Sequence, residues 1–245
     1  MNTALTAFVL AAGKGSRLGA CSGDLPKPLM EVAGTPVLEW ILVDLGRQGF
    51  SQVVMNVSWQ AARITEFCGD GSRFGCRITY SHEIALLGTA GGVKKMEDSL
   101  SDPFLVVYGD TLREIDYAHL ILTYVEKQAD AIIALHRVDA NSQSGIVDLD
   151  PSSRIMGFVE KPVMIKDGSL GNAGVYVMSK RCLAHLEAGQ PADFSYDVFP
   201  RLLADSFRIY GMEVEGMVLD IGTPERLRNA RLVWPSRREC EKEKP

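Results

Sequence analysis

Short apolar runs alternate with amphipathic segments through the first half of the chain. Residues 6–12 and 104–108 are continuous apolar runs, which are typical of strands buried on both faces of a parallel sheet. Residues 36–48 carry apolar side chains at helical spacing and predict an amphipathic helix. The pattern also predicts strands over residues 52–57 and 77–81 and helices over residues 61–67 and 90–100. This alternation predicts a doubly wound α/β sheet.

Strands dominate the pattern beyond Asp130. The predicted strands cover residues 131–137, 145–149, 155–159 and 173–178. Helices are predicted near Arg181, near Asp197 and after Pro224, with a strand near Val218. No linker separates the two halves, so we predict an α/β fold with one Rossmann-like, doubly wound mixed sheet in a single domain. Residues 1–234 form that predicted domain, and residues 235–245 form a charged tail that is predicted to be flexible.

The composition is that of an acidic globular protein. Of the 245 residues, 46% are hydrophobic and 23% are charged, and the net charge is -5. An acidic chain lacks the basic surface that nucleic-acid binding requires, so no nucleic acid is expected as a partner. No apolar run reaches the length of a membrane span, and the N-terminus lacks a signal-peptide pattern. The five cysteines show no metal-ligand spacing, which is typical of thiols in a reducing compartment. We therefore predict a cytoplasmic protein without a membrane partner.

A glycine loop follows the first predicted strand. Gly13 and Gly15 flank Lys14, and Arg17 follows Gly15 by two residues. At this place in an α/β sheet, small residues let backbone N–H groups approach a phosphate. The loop lacks the third glycine of a dinucleotide fingerprint and the first glycine of a P-loop. Ten residues after Arg17, Lys27 lies between two prolines that hold its backbone extended, which presents one cation beside the loop.

Residues 10–40 read LAAGKGSRLGACSGDLPKPLMEVAGTPVLEW. This stretch resembles the N-terminal signature of nucleoside-triphosphate:sugar-1-phosphate nucleotidylyltransferases, and the resemblance extends to the helix after Pro224. It implies their fold, of the nucleotide-diphospho-sugar transferase type. It also implies that Arg17 and the loop hold the triphosphate and that Lys27 contacts the reacting phosphates. The loop residues implied to bind the nucleotide are Leu10, Ala11, Ala12, Gly13, Lys14 and Gly15. Residues 20–22 depart from the Pro-Leu-Thr that the family often has there.

Two aspartates follow predicted strands at the carboxyl side of the sheet. Asp110 comes after the apolar run 104–108, and Asp220 comes after the predicted strand near Val218. Both positions match the two aspartates that hold Mg²⁺ in the family that the chain resembles. Two carboxylates, with phosphate oxygens and waters, suit the octahedral oxygen coordination of Mg²⁺. A single loop aspartate is more often a turn cap, but the pair together with the loop favours a metal site. Tyr108 stands where the family usually has asparagine.

Residues 81–92, SHEIALLGTAGG, resemble the second nucleotide-binding segment of the family. In the family, the residue five positions before the glycine reads the base edge, and members that use UTP or dTTP commonly have glutamine. Here this residue is Glu83, and one carboxylate can accept both neighbouring donors of guanine. We therefore predict GTP as the nucleotide, with Glu83, Gly88 and Thr89 as contacts. The alternative makes Glu83 a solvated surface acid and Gly88 a helix-start glycine.

Three further segments resemble the acceptor side of the family. They contain Gly145, the pair Glu160 and Lys161, and Asn172. Glu160 can accept hydrogen bonds from sugar hydroxyls, and Lys161 can neutralise an incoming phosphate. The resemblance implies that these four residues bind the sugar-1-phosphate. Without it, Glu160 and Lys161 are most simply a solvated strand end.

The resemblance implies transfer of a nucleotidyl group from a nucleoside triphosphate, with GTP favoured, to a sugar-1-phosphate, with release of pyrophosphate. The catalytic residues would be Arg17, Lys27, Asp110 and Asp220, with Mg²⁺ as cofactor. Within the family, the chain is similar to the short mannose- and manno-heptose-1-phosphate guanylyltransferases. UTP, CTP or dTTP are alternative nucleotides, and assembly into a homo-oligomer stays open. A nucleotide-sugar-dependent glycosyltransferase is a second alternative, although residues 110–112 lack its usual Asp-x-Asp. A third alternative is a non-catalytic regulatory paralogue. The presence of all four predicted catalytic residues argues against it.

Overall fold

The computed structural model describes residues 5–18, 23, 25–140 and 142–242, with side chains described as far as Trp234. In chain order, its strands are β1 (Thr6–Leu10), β2 (Glu31–Val32), β3 (Thr35–Pro36), β4 (Gln52–Val57), β5 (Arg77–His82), β6 (Phe104–Tyr108), β7 (Thr111–Arg113), β8 (Ala131–Val138), β9 (Ile146–Leu149), β10 (Ile155–Val159), β11 (Ser169–Met178), β12 (Ile209–Glu213) and β13 (Val218–Asp220). Its α-helices are α1 (Val37–Arg47), α2 (Ala61–Cys68), α3 (Gly88–Lys95), α4 (Tyr117–Glu126), α5 (Phe199–Ala204) and α6 (Pro224–Lys242).

Nine of the described strands form one mixed sheet. Its parallel half has the order β6-β1-β4-β5. The antiparallel half begins where β11 pairs with β6. Strand β11 also pairs with β8 and β9, β10 pairs with β9 at one edge, and β12 pairs in parallel with β8. The predicted α/β fold, a doubly wound mixed sheet in a single domain, is therefore confirmed.

Alternate residues of the central strands face two separate apolar cores. In β1, Ala7 and Val9 share a core with the buried face of α1, whereas Phe8 belongs to the core that contains Ala90 and Val93 of α3. Because both faces are covered, a central strand such as β1 is a continuous apolar run in the sequence. The parallel strands end at one edge of the sheet, where the loops that follow them can meet a ligand.

The hydrophobic pattern did not predict α4. Tyr117 and Leu120 of this helix are buried, but Leu122 and Val125 are exposed. Because apolar residues lie on both faces, no clear apolar stripe marks the helix in the sequence. The side chain of Asp116 caps it by accepting a hydrogen bond from the backbone N–H of His119 at 3.0 Å.

Several predicted elements end at other residues in the structure. Strand β1 ends at Leu10, so Ala11 and Ala12 belong to the loop that follows. The helix predicted over residues 90–100 divides into α3 and a 3-10 turn at Glu97–Ser99. Helix α6 continues past residue 234, where the predicted domain ends, to Lys242.

Two of the predicted helices are not α-helical. The segment near Arg181 is a 3-10 turn, Lys180–Leu183. The segment near Asp197 is a π-helical turn, Phe194–Val198, which leads into α5. As for a membrane, none of the helices described in the structure is both long enough and apolar enough to cross a bilayer.

Candidate active site

A cavity of about 180 Å³ opens where the parallel strands end. The glycine loop after β1 forms one side, and Lys27, Asp110 and Gly222 lie opposite. The residues that line the cavity are Leu10, Ala11, Gly13, Gly15, Ser16, Arg17, Lys27, Pro28, Asp110 and Gly222. The structure therefore brings the loop and three of the predicted catalytic charges, Arg17, Lys27 and Asp110, to one place.

The glycine loop packs directly against Lys27. Gly15 has a φ of 64°, and a Cβ there would lie 3.0 Å from the Cβ of Lys27. Both the left-handed backbone and the close approach require glycine at this position. Residues 16–18 form a single 3-10 turn, in which the Leu18 N–H donates to the Gly15 carbonyl at 3.0 Å.

The two predicted loop cations extend outward. Lys14 and Arg17 are exposed, so both are accessible to a charged ligand. One nitrogen of Arg17, Nη1, donates to Oε1 of Gln143 at 3.2 Å. Gln143 precedes β9, so this contact links the glycine loop to the antiparallel half of the sheet. The sequence pattern did not single out Gln143.

Lys27 holds the predicted pair of aspartates together. Its ammonium donates to Oδ2 of Asp110 at 2.6 Å and to Oδ1 of Asp220 at 3.1 Å. The residue is only 7% exposed, and burial alone would lower the pKa of its ammonium. The two carboxylates outweigh burial and raise the pKa of Lys27 above its usual value. The side chain therefore stays charged at neutral pH.

Arg226 supports Asp220 from the first turn of α6. Its Nη1 donates to Oδ2 of Asp220 at 2.5 Å, so each oxygen of this carboxylate faces one cation. Burial would raise the pKa of Asp220, but Lys27 and Arg226 together lower it below its usual value. The sequence pattern did not single out Arg226. The available signal was its position at the start of the helix that follows the predicted metal carboxylate.

Asp110 and Asp220 fit a divalent cation of the Mg²⁺ class. Each directs an oxygen at the same ammonium, so a positive charge already lies between them. Carboxylate oxygens are hard ligands, and Mg²⁺ commonly takes one or two of them together with substrate phosphates and waters. Within the described part of the chain, no group of three His, Cys, Asp or Glu residues could hold a metal. Further ligands would therefore come from substrate and water. Gly222 keeps this space open, because a Cβ there would lie 2.9 Å from Asp220.

Glu83 is buried at the start of the base segment, which we define as residues 83–88. It is 5% exposed, so the alternative of a solvated surface acid is wrong. Its Oε1 accepts a hydrogen bond from Nδ2 of Asn56 at 2.8 Å, and its Oε2 accepts one from the Leu87 N–H at 3.0 Å. Both carboxylate oxygens thus have partners within the protein. The sequence pattern did not single out Asn56, because nothing in it distinguishes this residue from an ordinary strand residue.

The base segment is joined to the loop that precedes the π-helical turn. Gly88 has a φ of 71°, and a Cβ there would lie 2.4 Å from the carbonyl oxygen of Ala192. Thr89 Oγ1 donates to Oδ2 of Asp193 at 2.8 Å and accepts from the Phe194 N–H at 2.9 Å. Gly88 and Thr89 therefore fix the start of α3 to this loop.

The predicted acceptor-side residues Gly145, Glu160 and Asn172 lie together. The Gly145 carbonyl accepts a hydrogen bond from the Asn172 N–H at 2.9 Å, and a Cβ at Gly145 would lie 2.6 Å from Oε2 of Glu160. Lys161 lies 3.7 Å from Glu160 with its side chain half-exposed. Burial raises the pKa of Glu160, although Ser195 and Lys161 oppose it. The Glu160 side chain is 14% exposed and therefore largely enclosed, whereas the Lys161 side chain is solvated, as the alternative interpretation expects.

Tyr108 connects the aspartate end of β6 with the acceptor side. Its hydroxyl accepts from the Tyr176 hydroxyl at 3.3 Å, and Nδ2 of Asn172 donates to that same Tyr176 oxygen at 2.7 Å. The Tyr108 ring lies against Gly174, where a Cβ would come within 3.0 Å of it. Burial raises the pKa of Tyr108 well above its usual value, so the phenol stays neutral.

A second, larger cavity is lined by none of the predicted site residues. Its volume is about 460 Å³, and it opens between α1 and the segment around β7. Asp44, Arg113 and the two indoles of Trp40 and Trp234 are among the residues that line it. Size alone therefore does not mark the predicted chemistry in this protein.

Comparison with known proteins identifies the family. Residues 6–234 match the model of the nucleotidyl transferase family. UTP–glucose-1-phosphate uridylyltransferase of Synechocystis sp. is 33% identical over 89% of this chain. Mannose-1-phosphate guanylyltransferase of Mycobacterium tuberculosis is 34% identical, also over 89% of this chain. The chain spans only 60% and 61% of the lengths of these two relatives.

Two other proteins match this chain over nearly their whole length. N-acetylmuramate alpha-1-phosphate uridylyltransferase of Neisseria meningitidis is 33% identical, over 92% of this chain and 96% of the relative. The crystal structure of HddC from Yersinia pseudotuberculosis has a TM-score of 0.82 and 26% identity, over 94% of this chain and 99% of that one. HddC has also been solved in complex with GMP-PN, and that structure has a TM-score of 0.81. This chain therefore belongs to the nucleotidyl transferase family.

Proposed function

We propose that this protein transfers a nucleotidyl group from a nucleoside triphosphate, with GTP favoured, to a sugar-1-phosphate and releases pyrophosphate. The observation that carries the proposal is the buried Lys27 ammonium between Asp110 and Asp220, beside the glycine loop. This arrangement offers a cation for phosphate oxygens and a pair of carboxylates for a metal. Relatives named as sugar-1-phosphate nucleotidyltransferases support the same reaction class.

The reaction needs positioning and charge neutralisation more than covalent catalysis. An oxygen of the sugar-1-phosphate attacks the α-phosphorus of the triphosphate. As the new P–O bond forms, the bond from the α-phosphorus to its bridging oxygen breaks, and pyrophosphate leaves with that electron pair. We assign Arg17 and the N–H groups of the glycine loop to the triphosphate, and Lys27 to the charge that develops on the reacting phosphates.

Asp110 and Asp220 are the residues that would hold Mg²⁺. Bound there, the cation would neutralise charge on the reacting phosphates as a Lewis acid. Lys27 and Arg226 contribute by fixing the two carboxylates through ion pairs, so the oxygens are placed before substrate arrives.

The acceptor would bind on the side of Glu160 and Asn172. Glu160 can accept hydrogen bonds from sugar hydroxyls, and its neighbour Lys161 can meet the phosphate of the acceptor. Gly145 leaves room for the Glu160 carboxylate, because any Cβ there would collide with it. We therefore assign the sugar-1-phosphate to this group of residues.

GTP is the proposed nucleotide, and UTP is the second candidate. GTP is supported by the mannose-1-phosphate guanylyltransferase relative and by the GMP-PN complex of HddC. UTP is supported by the Neisseria relative, because it shares almost its entire length with this chain and is named a uridylyltransferase. The burial of Glu83, together with the protein hydrogen bonds to both of its oxygens, weakens the main argument from the sequence for guanine.

We further propose that residues 1–234 form the catalytic domain and that the reaction takes place in the cytoplasm. The family match over residues 6–234 supports that domain boundary. Cys68, Cys76 and Cys182 are buried free thiols, which is typical of a reducing compartment.

Pyrophosphate release tests the proposal. Four nucleoside triphosphates are each paired with a panel of sugar-1-phosphates, with Mg²⁺ or with EDTA. We expect release that requires Mg²⁺ and both substrates, with GTP the best nucleotide. Lys27→Ala should lower kcat by about 10²–10³-fold and raise the nucleotide KM much less, because the cation acts on developing charge. Lys94→Ala, which removes a helix lysine paired with Glu97, is the matched control and should leave both constants unchanged. A normal kcat in Lys27→Ala would refute the assigned role.

A further inference from the structure

The buried amide of Asn56 and the buried carboxylate of Glu83 lie between the glycine loop and the backbone of Leu87 in the base segment. Asn56 belongs to β4 and is 2% exposed. Glu83 follows β5 directly and is also buried. Burial of such polar groups is costly unless every polar atom has a partner, so their contacts define what the pair does.

Three successive hydrogen bonds connect the backbone N–H of Ala11 with that of Leu87 through the Asn56 and Glu83 side chains. The N–H of Ala11, at the start of the glycine loop, donates to Oδ1 of Asn56 at 2.8 Å. Nδ2 of Asn56 donates to Oε1 of Glu83 at 2.8 Å. The N–H of Leu87 donates to Oε2 of Glu83 at 3.0 Å. The three bonds thus link the glycine loop after β1 to the base segment after β5.

Gly92 of α3 closes the space around the pair. A Cβ at Gly92 would lie 2.6 Å from Oε1 of Glu83 and 2.7 Å from Nδ2 of Asn56. The helix therefore packs directly on the hydrogen bond between them. A fully satisfied and enclosed polar network has few alternative arrangements, so it fixes the groups at its two ends.

We propose that Asn56 and Glu83 are positioning residues that set the spacing between the glycine loop and the base segment. Glu83 acts on the nucleotide through the backbone of Leu87 and Gly88, and its carboxylate does not touch the base. This inference rests on the proposed nucleotidyl transfer, because one nucleotide must meet the glycine loop with its phosphates and the base segment with its base. An error in the spacing of the two segments therefore weakens nucleotide binding first.

The polarity of the pair gives the inference a sharp test. The series of hydrogen bonds begins and ends at backbone N–H donors, those of Ala11 and Leu87. The two side chains between them must therefore supply an acceptor for each N–H and one donor for the bond that joins the side chains. Asn56 with Glu83 meets this need, and aspartate at 56 with glutamine at 83 would meet it equally well. Glu83→Gln alone leaves one acceptor, the glutamine side-chain oxygen, for two donors, Nδ2 of Asn56 and the Leu87 N–H. Asn56→Asp alone sets two carboxylates 2.8 Å apart.

The experiment compares the wild type with Asn56→Asp, Glu83→Gln and the double variant Asn56→Asp/Glu83→Gln. For each protein, we would measure the KM of both substrates, kcat, the Kd of the Mg²⁺–nucleotide by titration, and Tm. Each single variant should raise the nucleotide KM and Kd by about tenfold or more. The sugar-1-phosphate KM should change less than about twofold, and the double variant should return nucleotide affinity to within about threefold of the wild type. Nucleotide preference should stay the same throughout.

Asp44→Asn is the matched control for a purely structural effect. Asp44 and Gln48 form another amide–carboxylate pair, 3.0 Å apart, beside the larger cavity and away from the glycine loop. This variant should lower Tm without changing the nucleotide Kd. Asn56→Ser, which shortens the side chain without adding charge, replaces Asn56→Asp as the single variant if the latter does not fold.

Three results would overturn the inference. The first is a double variant that binds nucleotide as poorly as the single variants. The second is a change in the preference between guanine and uracil in Glu83→Gln that persists in the double variant, since this would place the carboxylate on the base. The third is a loss of Tm in the single variants with normal nucleotide affinity. Failure of the proposed function looks different: the wild type would bind nucleotide, and the variants would show the expected pattern of Kd, but no sugar-1-phosphate would be consumed.

Discussion

Replacing Lys27 with methionine removes the ammonium that bonds to both Asp110 and Asp220 while keeping a flexible apolar side chain of similar length. The lysine is 7% exposed, and each aspartate side chain is 31% exposed. Removing one partner of a buried ion pair costs about 3–5 kcal/mol in free energy of unfolding. Because the carboxylates keep some solvent and Arg226 still faces Asp220, we expect a smaller loss, about 2–3 kcal/mol.

Thermal unfolding in EDTA and in Mg²⁺ measures this loss. In a protein of this size, 1 kcal/mol shifts Tm by about 2–4 °C, so Lys27→Met should lower Tm in EDTA by about 4–12 °C. Two carboxylates without their ammonium attract a cation more strongly. Added Mg²⁺ should therefore raise the Tm of Lys27→Met more than it raises that of the wild type.

Arg201→Met is the matched control for the loss of one positive charge. Arg201 pairs with Asp205 at 2.7 Å on the surface, with side chains 60% and 42% exposed. Such a pair contributes less than about 1 kcal/mol, so its loss should change Tm by only a few degrees and independently of Mg²⁺. Equal losses of Tm in the two variants, or no extra stabilisation of Lys27→Met by Mg²⁺, would refute the ion pairs described between Lys27 and the two aspartates, Asp110 and Asp220.

Two further predictions concern other contacts. A Cβ at Gly46 would lie 1.9 Å from the Phe74 carbonyl oxygen, so Gly46→Ala should lower the free energy of unfolding by about 1–3 kcal/mol. Gly157→Ala is the control, because the nearest atom to its Cβ would be 3.4 Å away, and it should lower the free energy of unfolding by less than about 1 kcal/mol. Urea unfolding compares the two variants, and equal midpoints would contradict the close packing at Gly46. Arg226 helps to lower the pKa of Asp220 below its usual value of 3.8. The charged carboxylate therefore stabilises the folded protein at any pH above 3.8, and this stabilisation is lost as the pH falls through the lower pKa of the folded state. Arg226→Met should therefore move acid unfolding in EDTA to higher pH, and an unchanged acid midpoint would show that the ion pair has no such effect.

The sequence predicts best those elements whose burial leaves a local pattern. Residues 52–57, 104–108 and 155–159 form strands over the predicted ranges. The first two lie inside the sheet, where both faces demand apolar residues. Helix α4 escapes prediction because its apolar residues lie on both faces, and Leu122 and Val125 remain exposed.

The site residues that the sequence does not predict depend on contacts between distant parts of the chain. Asn56 is one polar residue within a strand, and nothing local shows that it faces both Ala11 and Glu83. The Ala192 carbonyl that meets the start of α3 lies more than a hundred residues from it in sequence. Such partners follow from the register and packing of the sheet, which a single sequence does not reveal.

The arrangement of the antiparallel half has an evolutionary consequence. Gly145 and Glu160 flank the hairpin of β9 and β10, and β10 has β9 as its strand partner at the edge of the sheet. Val147 and Ile155 of this hairpin are buried in the core that Phe8 shares, but its exposed positions, such as Met156 and Val159, can change without disturbing the parallel strands on which the glycine loop depends. Asn172 is more constrained, because its strand β11 also pairs with β6. With the acceptor site proposed above, a lineage with this fold can change its sugar at the edge hairpin without altering the strands that carry the glycine loop. The names of the relatives include glucose, mannose and muramate derivatives.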